Sequence, residues 1–185
     1  MNYVVDTGIQ FDIGKLLADY HKVREFFGPK QFPPQINIRR RGNDPQYLDG
    51  MLDFAGSLYQ DGKMRARENE WDTYIGMFND TYTETMCKEI EAFARYTFDG
   101  KVGRIRYMTM APKSVLTYHW DPDDVIRLHI PLITNDNCFF INNEVISRMD
   151  AVGHMYTFDS TVKHTAVNAS RESRTHLVAS VYNAN

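Results

Sequence analysis

The chain has 185 residues, of which 43% are apolar, 13% aromatic and 24% charged; such a composition buries one substantial core and excludes disorder for the bulk of the chain. A formal net charge of -3 supplies no basic footprint for nucleic acid. Cys87 and Cys138 lack CxxC spacing, the segment Met1 to Asp6 lacks a basic-then-apolar leader pattern, and no stretch approaches the ~20 apolar residues of a membrane span. Neither a disulfide scaffold nor a zinc ribbon is suggested, secretion and membrane insertion are not expected, and a reduced cytoplasmic setting is.

In chain order, apolar residues at helical spacing predict a helix over Ile13 to Tyr20. Residues 29–47, with four prolines and Gly42, predict irregular chain around a short strand at Ile36 to Ile38. Two basic runs, Arg39-Arg40-Arg41 and Lys63 to Arg67, are each followed by acids and are expected on solvated surface. A second helix is expected over Thr83 to Ala94.

Near Asp99-Gly100 the pattern changes to short β-rich runs separated by turn residues. Strands are predicted at Gly103 to Met110, Val115 to Asp121, Val125 to Thr134, Cys138 to Ile141, Glu144 to Met149, His154 to Phe158, Lys163 to Asn168 and Thr175 to Val181. Eight strands at this even spacing predict a jelly-roll barrel. The expected fold is mainly β with flanking N-terminal α-helices. Residues 1–185 would form one domain, with residues 1–100 as helical buttress and lid and 101–185 as the barrel core.

His119-Trp120-Asp121 lies at the end of a predicted strand, where alternation points His119 and Asp121 to one face. His164, opening a later strand, is the best third ligand. Two histidines and one carboxylate on one side of a metal leave the opposite positions open, as in non-haem Fe(II) oxygenases. Ten residues beyond His164, Arg174 opens the run RTHLVAS. A buried guanidinium calls for an anion that meets its planar fork, and a dicarboxylate is one. Arg127 and His129 share a strand face and are expected to look into the barrel beside the metal. Of the other candidates, His21 is expected on a surface helix, His154 after a turn, His176 packed and Arg106 outward.

The segments RLHIPLITN (127–135), HTAVN (164–168) and RTHLV (174–178), with His119-Trp120-Asp121, Met149, Gly153, Tyr156 and Asp159, carry a resemblance. Over residues of about 102–182 the chain resembles the aspartyl/asparaginyl β-hydroxylase-like branch of the 2-oxoglutarate dioxygenases, and within it the bacterial free-amino-acid proline hydroxylases. The preceding hundred residues give no comparable match.

The resemblance implies a double-stranded β-helix of cupin type with Fe(II) on His119, Asp121 and His164. It implies 2-oxoglutarate as cosubstrate with its distal carboxylate on Arg174, and Arg127 and His129 near its other end. Hydroxylation of an unactivated C–H bond by O2, with release of succinate and CO2, follows. The hydroxylases that name the branch lack the carboxylate ligand, whereas this chain keeps Asp121. That favours a small-molecule substrate, an amino acid or its derivative, over a peptidyl Asp or Asn, and argues against halogenation. A cupin-type metal-dependent isomerase or hydrolase is the alternative outside the oxygenases.

Overall fold

The computed structural model of the chain describes residues 2–28, 33–41, 59–60, 63–64, 70–121 and 126–183. Most of the Lys63–Arg67 run and the turn expected at Pro122 to Asp124 lie outside them. The first strand, β1 (Val4–Gln10), precedes helix α1 (Ile13–Phe27), for which Asp12 is the N-cap, its carboxylate accepting from Lys15 N. Four short strands follow: β2 (Gln35–Asn37), β3 (Arg39–Arg41), β4 (Tyr59–Gln60) and β5 (Lys63–Met64). Strand β6 (Trp71–Tyr74) then leads to helix α2 (Tyr82–Phe98). Thr81 caps α2 through Glu84 N, and Asp99 ends it in the left-handed conformation at φ 48°. Both helices run longer than the sequence pattern predicts, and the change to strands falls at Gly100 as expected.

Strands β7 (Gly100–Met110), β8 (Ser114–Val115), β9 (Ile126–Ile133), β10 (Cys138–Asn142), β11 (Val145–Ser147), β12 (His154–Asp159), β13 (His164–Asn168) and β14 (Arg174–Asn183) complete the chain. They form a six-stranded sheet, β1-β12-β9-β14-β7-β2, and a four-stranded sheet, β11-β10-β13-β8. This is the jelly roll that the strand spacing predicts. Two N-terminal strands, β1 and β2, join the larger sheet alongside strands from beyond residue 100, and β3 pairs with β6 in a separate ribbon.

Alternation along the central strands sorts the two faces of the larger sheet. Leu128, Ile130 and Leu132 of β9 and Leu177, Ala179 and Val181 of β14 are at most 3% exposed and join the core that holds Leu16 and Tyr20 of α1 and Met86 and Ile90 of α2. Burial of side chains of this size contributes about 1.5–3 kcal/mol each. Polar ties fix how the helices dock: buried Asp19 accepts from Thr83 N and Oγ1 at 2.9 and 3.1 Å, and Thr83 Oγ1 lies 2.8 Å from Tyr107 OH. The intervening residues of the same strands, Arg127, His129, His176 and Ser180, turn inward, away from the helices.

Two expectations are corrected here. Arg39 is not solvated: at 5% exposure it donates to Val102 O and Gly103 O and pairs with Glu91 of α2 and Tyr74 OH. Its partners lie far along the chain, so no local pattern announced them. Arg106 is not outward either: it is 5% exposed, in register with Val178 on one side and Asn37 on the other.

Candidate metal centre

His119, Asp121 and His164 come together at one end of the barrel, each offering one ligand atom, and these atoms all lie within 4.8 Å of one another. The predicted strand Val115 to Asp121 is a ladder only at Ser114–Val115; beyond it, His119 and His164 form an isolated antiparallel bridge, with N–H to O distances of 3.0 and 2.6 Å. Asp121 N donates to Ser160 O at 3.0 Å, which carries the extended chain two residues further. Backbone pairing thus puts the two imidazoles side by side, their ring centroids 4.5 Å apart, and His119 Nε2 4.0 Å from Asp121 Oδ1.

Both histidines are oriented by the same device. His119 Nδ1 lies 2.5 Å from Thr117 O and His164 Nδ1 lies 2.8 Å from Val162 O. A carbonyl oxygen can only accept, so each Nδ1 carries the proton and each Nε2 presents a lone pair, as a metal requires. Burial lowers the pKa of His164, which also favours the neutral, ligating form. Two imidazole nitrogens and a carboxylate oxygen suit a divalent first-row metal, so the donor set fits iron chemically.

Arg127 is committed to the carboxylate. Its Nε and Nη2 donate to Asp121 Oδ2 at 3.1 and 2.9 Å, and Nη1 donates to Ser180 Oγ. The sequence places Arg127 inside the barrel beside the metal ligands, which is where it lies; its hold on Asp121, six residues before it, was legible only once the chain had folded back.

Deeper in the barrel, Arg174 is 5% exposed and its guanidinium lies 4.4 Å from the ring centroid of Phe140. Nε donates to His176 Nε2 at 2.9 Å, Nη2 lies 2.9 Å from His176 Nδ1 and Nη1 is 3.0 Å from Met110 Sδ. Among the described residues no carboxylate pairs with it. Burial lowers its pKa to about 10, so it is still a cation at neutral pH. His129 packs edge-on against Phe140 and sits 3.4 Å, Nδ1 to Nδ1, from His176. Burial, reinforced by the Arg174 charge, drives the pKa of both histidines well below the usual value and keeps them neutral. The interior therefore carries a buried cation between neutral imidazoles, a setting that an incoming anion would stabilise. His176, expected to be packed, is buried as part of this setting, while His21 is exposed on α1 and His154 faces Asp6 at 3.0 Å.

A jelly roll with two histidines and one carboxylate clustered in it is an arrangement that non-haem Fe(II) oxygenases use. The profile of the aspartyl/asparaginyl beta-hydroxylase family matches residues 51–184. The chain belongs to that family and is a 2-oxoglutarate-dependent dioxygenase. The match begins well before residue 102, so the family likeness takes in part of the N-terminal half that had seemed unmatched.

Among solved structures the chain is similar to AviO1 from Streptomyces viridochromogenes Tue57, with 13% identity, 99% of this chain and 90% of that one covered, and a TM-score of 0.60. It is also similar to an oxidoreductase of the 2OG-Fe(II) oxygenase family from Burkholderia pseudomallei, with 15% identity, 98% and 85% covered, and a TM-score of 0.57. At these identities the likeness is one of fold. No curated protein matches the chain significantly in sequence. Among the described residues no helix is long and apolar enough to cross a membrane.

Proposed function

We propose that the chain hydroxylates an unactivated C–H bond of a small molecule, an amino acid or a derivative of one, with His119, Asp121 and His164 holding Fe(II) and Arg174 receiving the distal carboxylate of 2-oxoglutarate. The observation that carries this reading is the convergence of the three ligand atoms within 4.8 Å, with both histidines locked in the ligating tautomer. Bound iron and 2-oxoglutarate supply the oxidising chemistry, converting 2-oxoglutarate and O2 to succinate and CO2 while one oxygen atom enters the substrate.

The chain's own residues do the rest. Arg127 holds Asp121 through Oδ2, which would leave Oδ1 to ligate the metal, and orientation of this kind governs metal affinity. Arg174, short of a counter-anion, selects a carboxylate over a neutral group at the inner end. His176, in contact with Arg174, and His129 beside it are neutral and buried, and add no charge that would compete for the anion. Retention of Asp121 supports a small-molecule substrate, since the family's peptidyl hydroxylases resemble proteins without that ligand.

The test is succinate formation from 2-oxoglutarate with Fe(II) and ascorbate across a panel of free amino acids, read beside the hydroxylated product by mass. Substrate-stimulated succinate is the expected result. Turnover of a substrate by Zn-loaded protein without O2, and no succinate under any condition, would favour the isomerase or hydrolase reading instead.

A further inference from the structure

Asn142 is the last residue of β10 and lies directly opposite His164 of β13. In an antiparallel pair such neighbours have Cβ atoms about 4.5–5.5 Å apart on one face. That face is the barrel interior: His164 offers its ring to the metal centre from it, and Phe140, two residues before Asn142, touches His129, Phe158 and Arg174. Asn142 is 0% exposed, and among the described residues neither its Nδ2 nor its Oδ1 has a hydrogen-bond partner.

A buried amide left unpaired in this way is destabilising, and native proteins rarely retain one without a bound water or ligand to satisfy it. The other amides and hydroxyls of the two inner strands are not in this position. Asn168, at the far end of β13, donates to Met110 O, Ala111 O and Glu172 O and accepts from Ser170. Among the side-chain amides and hydroxyls of β10 and β13, the unsatisfied one is thus the one opposite His164.

A second observation says what is missing there. The dicarboxylate of the proposed function has two ends, and Arg174 serves only the inner one. Of the two residues that the family resemblance puts at the metal end, Arg127 already gives Nε and Nη2 to Asp121 and Nη1 to Ser180, and His129 faces His176, Nδ1 to Nδ1, at 3.4 Å.

We infer that Asn142 is a cosubstrate-positioning residue, its Nδ2–H donating to the metal-side carboxylate of 2-oxoglutarate. The pairing is open in the free protein and closed when the cosubstrate binds. Arg174 and Asn142 then grip opposite ends of one molecule, a cation at the inner carboxylate and a neutral amide at the one that iron also holds. A neutral donor is the suitable choice beside the metal, because a further guanidinium would lower affinity for the divalent cation. This inference rests on the 2-oxoglutarate reading.

Calorimetry of 2-oxoglutarate binding to Mn(II)-loaded protein tests it, with Asn142→Leu as a near-isosteric apolar replacement and Asn142→Asp as a polar one. Both variants are expected to raise the Kd for 2-oxoglutarate about 10-fold or more, the value for one lost hydrogen bond to a charged group, with Mn(II) affinity in Asn142→Leu kept near the parent's. The cosubstrate-free Asn142→Leu protein should melt at or above the parental temperature, because an unsatisfied amide has been removed. This opposition of weaker binding and undiminished stability is a signature that a structural asparagine would not give. An unchanged Kd in both variants overturns the inference and leaves a buried water as the amide's partner. A lower melting temperature for Asn142→Leu with an unchanged Kd for Asn142→Asp overturns it in favour of a structural role. If parental protein fails to bind 2-oxoglutarate, the proposed function fails with it, whereas parental binding with indifferent variants removes Asn142 alone.

Discussion

Replacing Arg127 with Met, which keeps the length of the side chain and removes the charge, separates support of the metal ligand from contact with the cosubstrate. Arg127 makes two charge-assisted hydrogen bonds to Asp121 Oδ2, at 2.9 and 3.1 Å, with side chains 10% and 20% exposed. Removing one partner of a desolvated pair costs about 2–5 kcal/mol, and the partial exposure of Asp121 puts this case near the lower end, at about 2 kcal/mol. For a chain of 185 residues that lowers the melting temperature of metal-free protein by about 4–8 °C.

The deficit should shrink when Mn(II) is added, because the cation takes over neutralisation of Asp121. Freed from its anchor, Asp121 is a worse ligand, and Mn(II) affinity should fall by about 10–100-fold, the usual range for residues that orient a ligand. Titration calorimetry for Mn(II), then for 2-oxoglutarate at saturating Mn(II), gives both quantities on one sample. If cosubstrate affinity falls further than metal affinity, Arg127 contacts 2-oxoglutarate and the division of labour argued above is refuted.

His119→Ala and His164→Ala should each abolish stoichiometric Mn(II) binding and succinate formation, whereas His21→Ala, on the exposed face of α1, should match the parent in both assays; full turnover by His164→Ala would refute the ligand set. Arg174→Ala should weaken 2-oxoglutarate binding by roughly 30-fold to several thousand-fold with Mn(II) affinity unchanged, and Arg174→Lys should recover only part of it, because an ammonium lacks the planar fork. His129 and His176 have pKa values far below 6.5 in the fold but titrate near 6.5 when unfolded. Below that pH the unfolded chain takes up protons that the native state refuses, so stability should fall as pH drops from about 6.5, by up to about 1.4 kcal/mol per pH unit for each histidine. Urea unfolding at pH 7 and 5.5 measures the slope, His129→Phe should reduce it by one histidine's share, with His176 and His164 still contributing, and an equal slope in both proteins would contradict neutral burial.

Local pattern carried most of the barrel. Alternation and turn residues located the strands beyond Gly100, and the central strands of the larger sheet show it most clearly, with one row of side chains in the core shared with the helices and the other turned inward. The convergence of His119, Asp121 and His164 was legible because HxD on extended chain turns both side chains to one side, and the burial of Arg174 because it opens a barrel strand. What escaped depends on contacts between distant segments. Strand β1, with Asp6, Thr7 and Gly8 in its middle, has little β signal of its own and is held by β12, about 150 residues later. Arg39 looked solvated among its basic neighbours until α2 brought Glu91 to it. Asn142 sits where alternation allows any residue, and only its burial without a partner sets it apart.

Strand β1 has a further role that follows from where it pairs. It covers the outer side of β12, Val4 opposite Phe158 and Asp6 opposite Tyr156; without it, that row of amides and carbonyls would face solvent as a template for a neighbouring molecule. The strand that closes this edge is itself a poor template, since its register slips between Asp6 and Gln10, where Gly8 takes a φ of +77°. Deleting β1 would thus remove no residue of the candidate metal centre and still open the edge of β12 to strand-to-strand self-association.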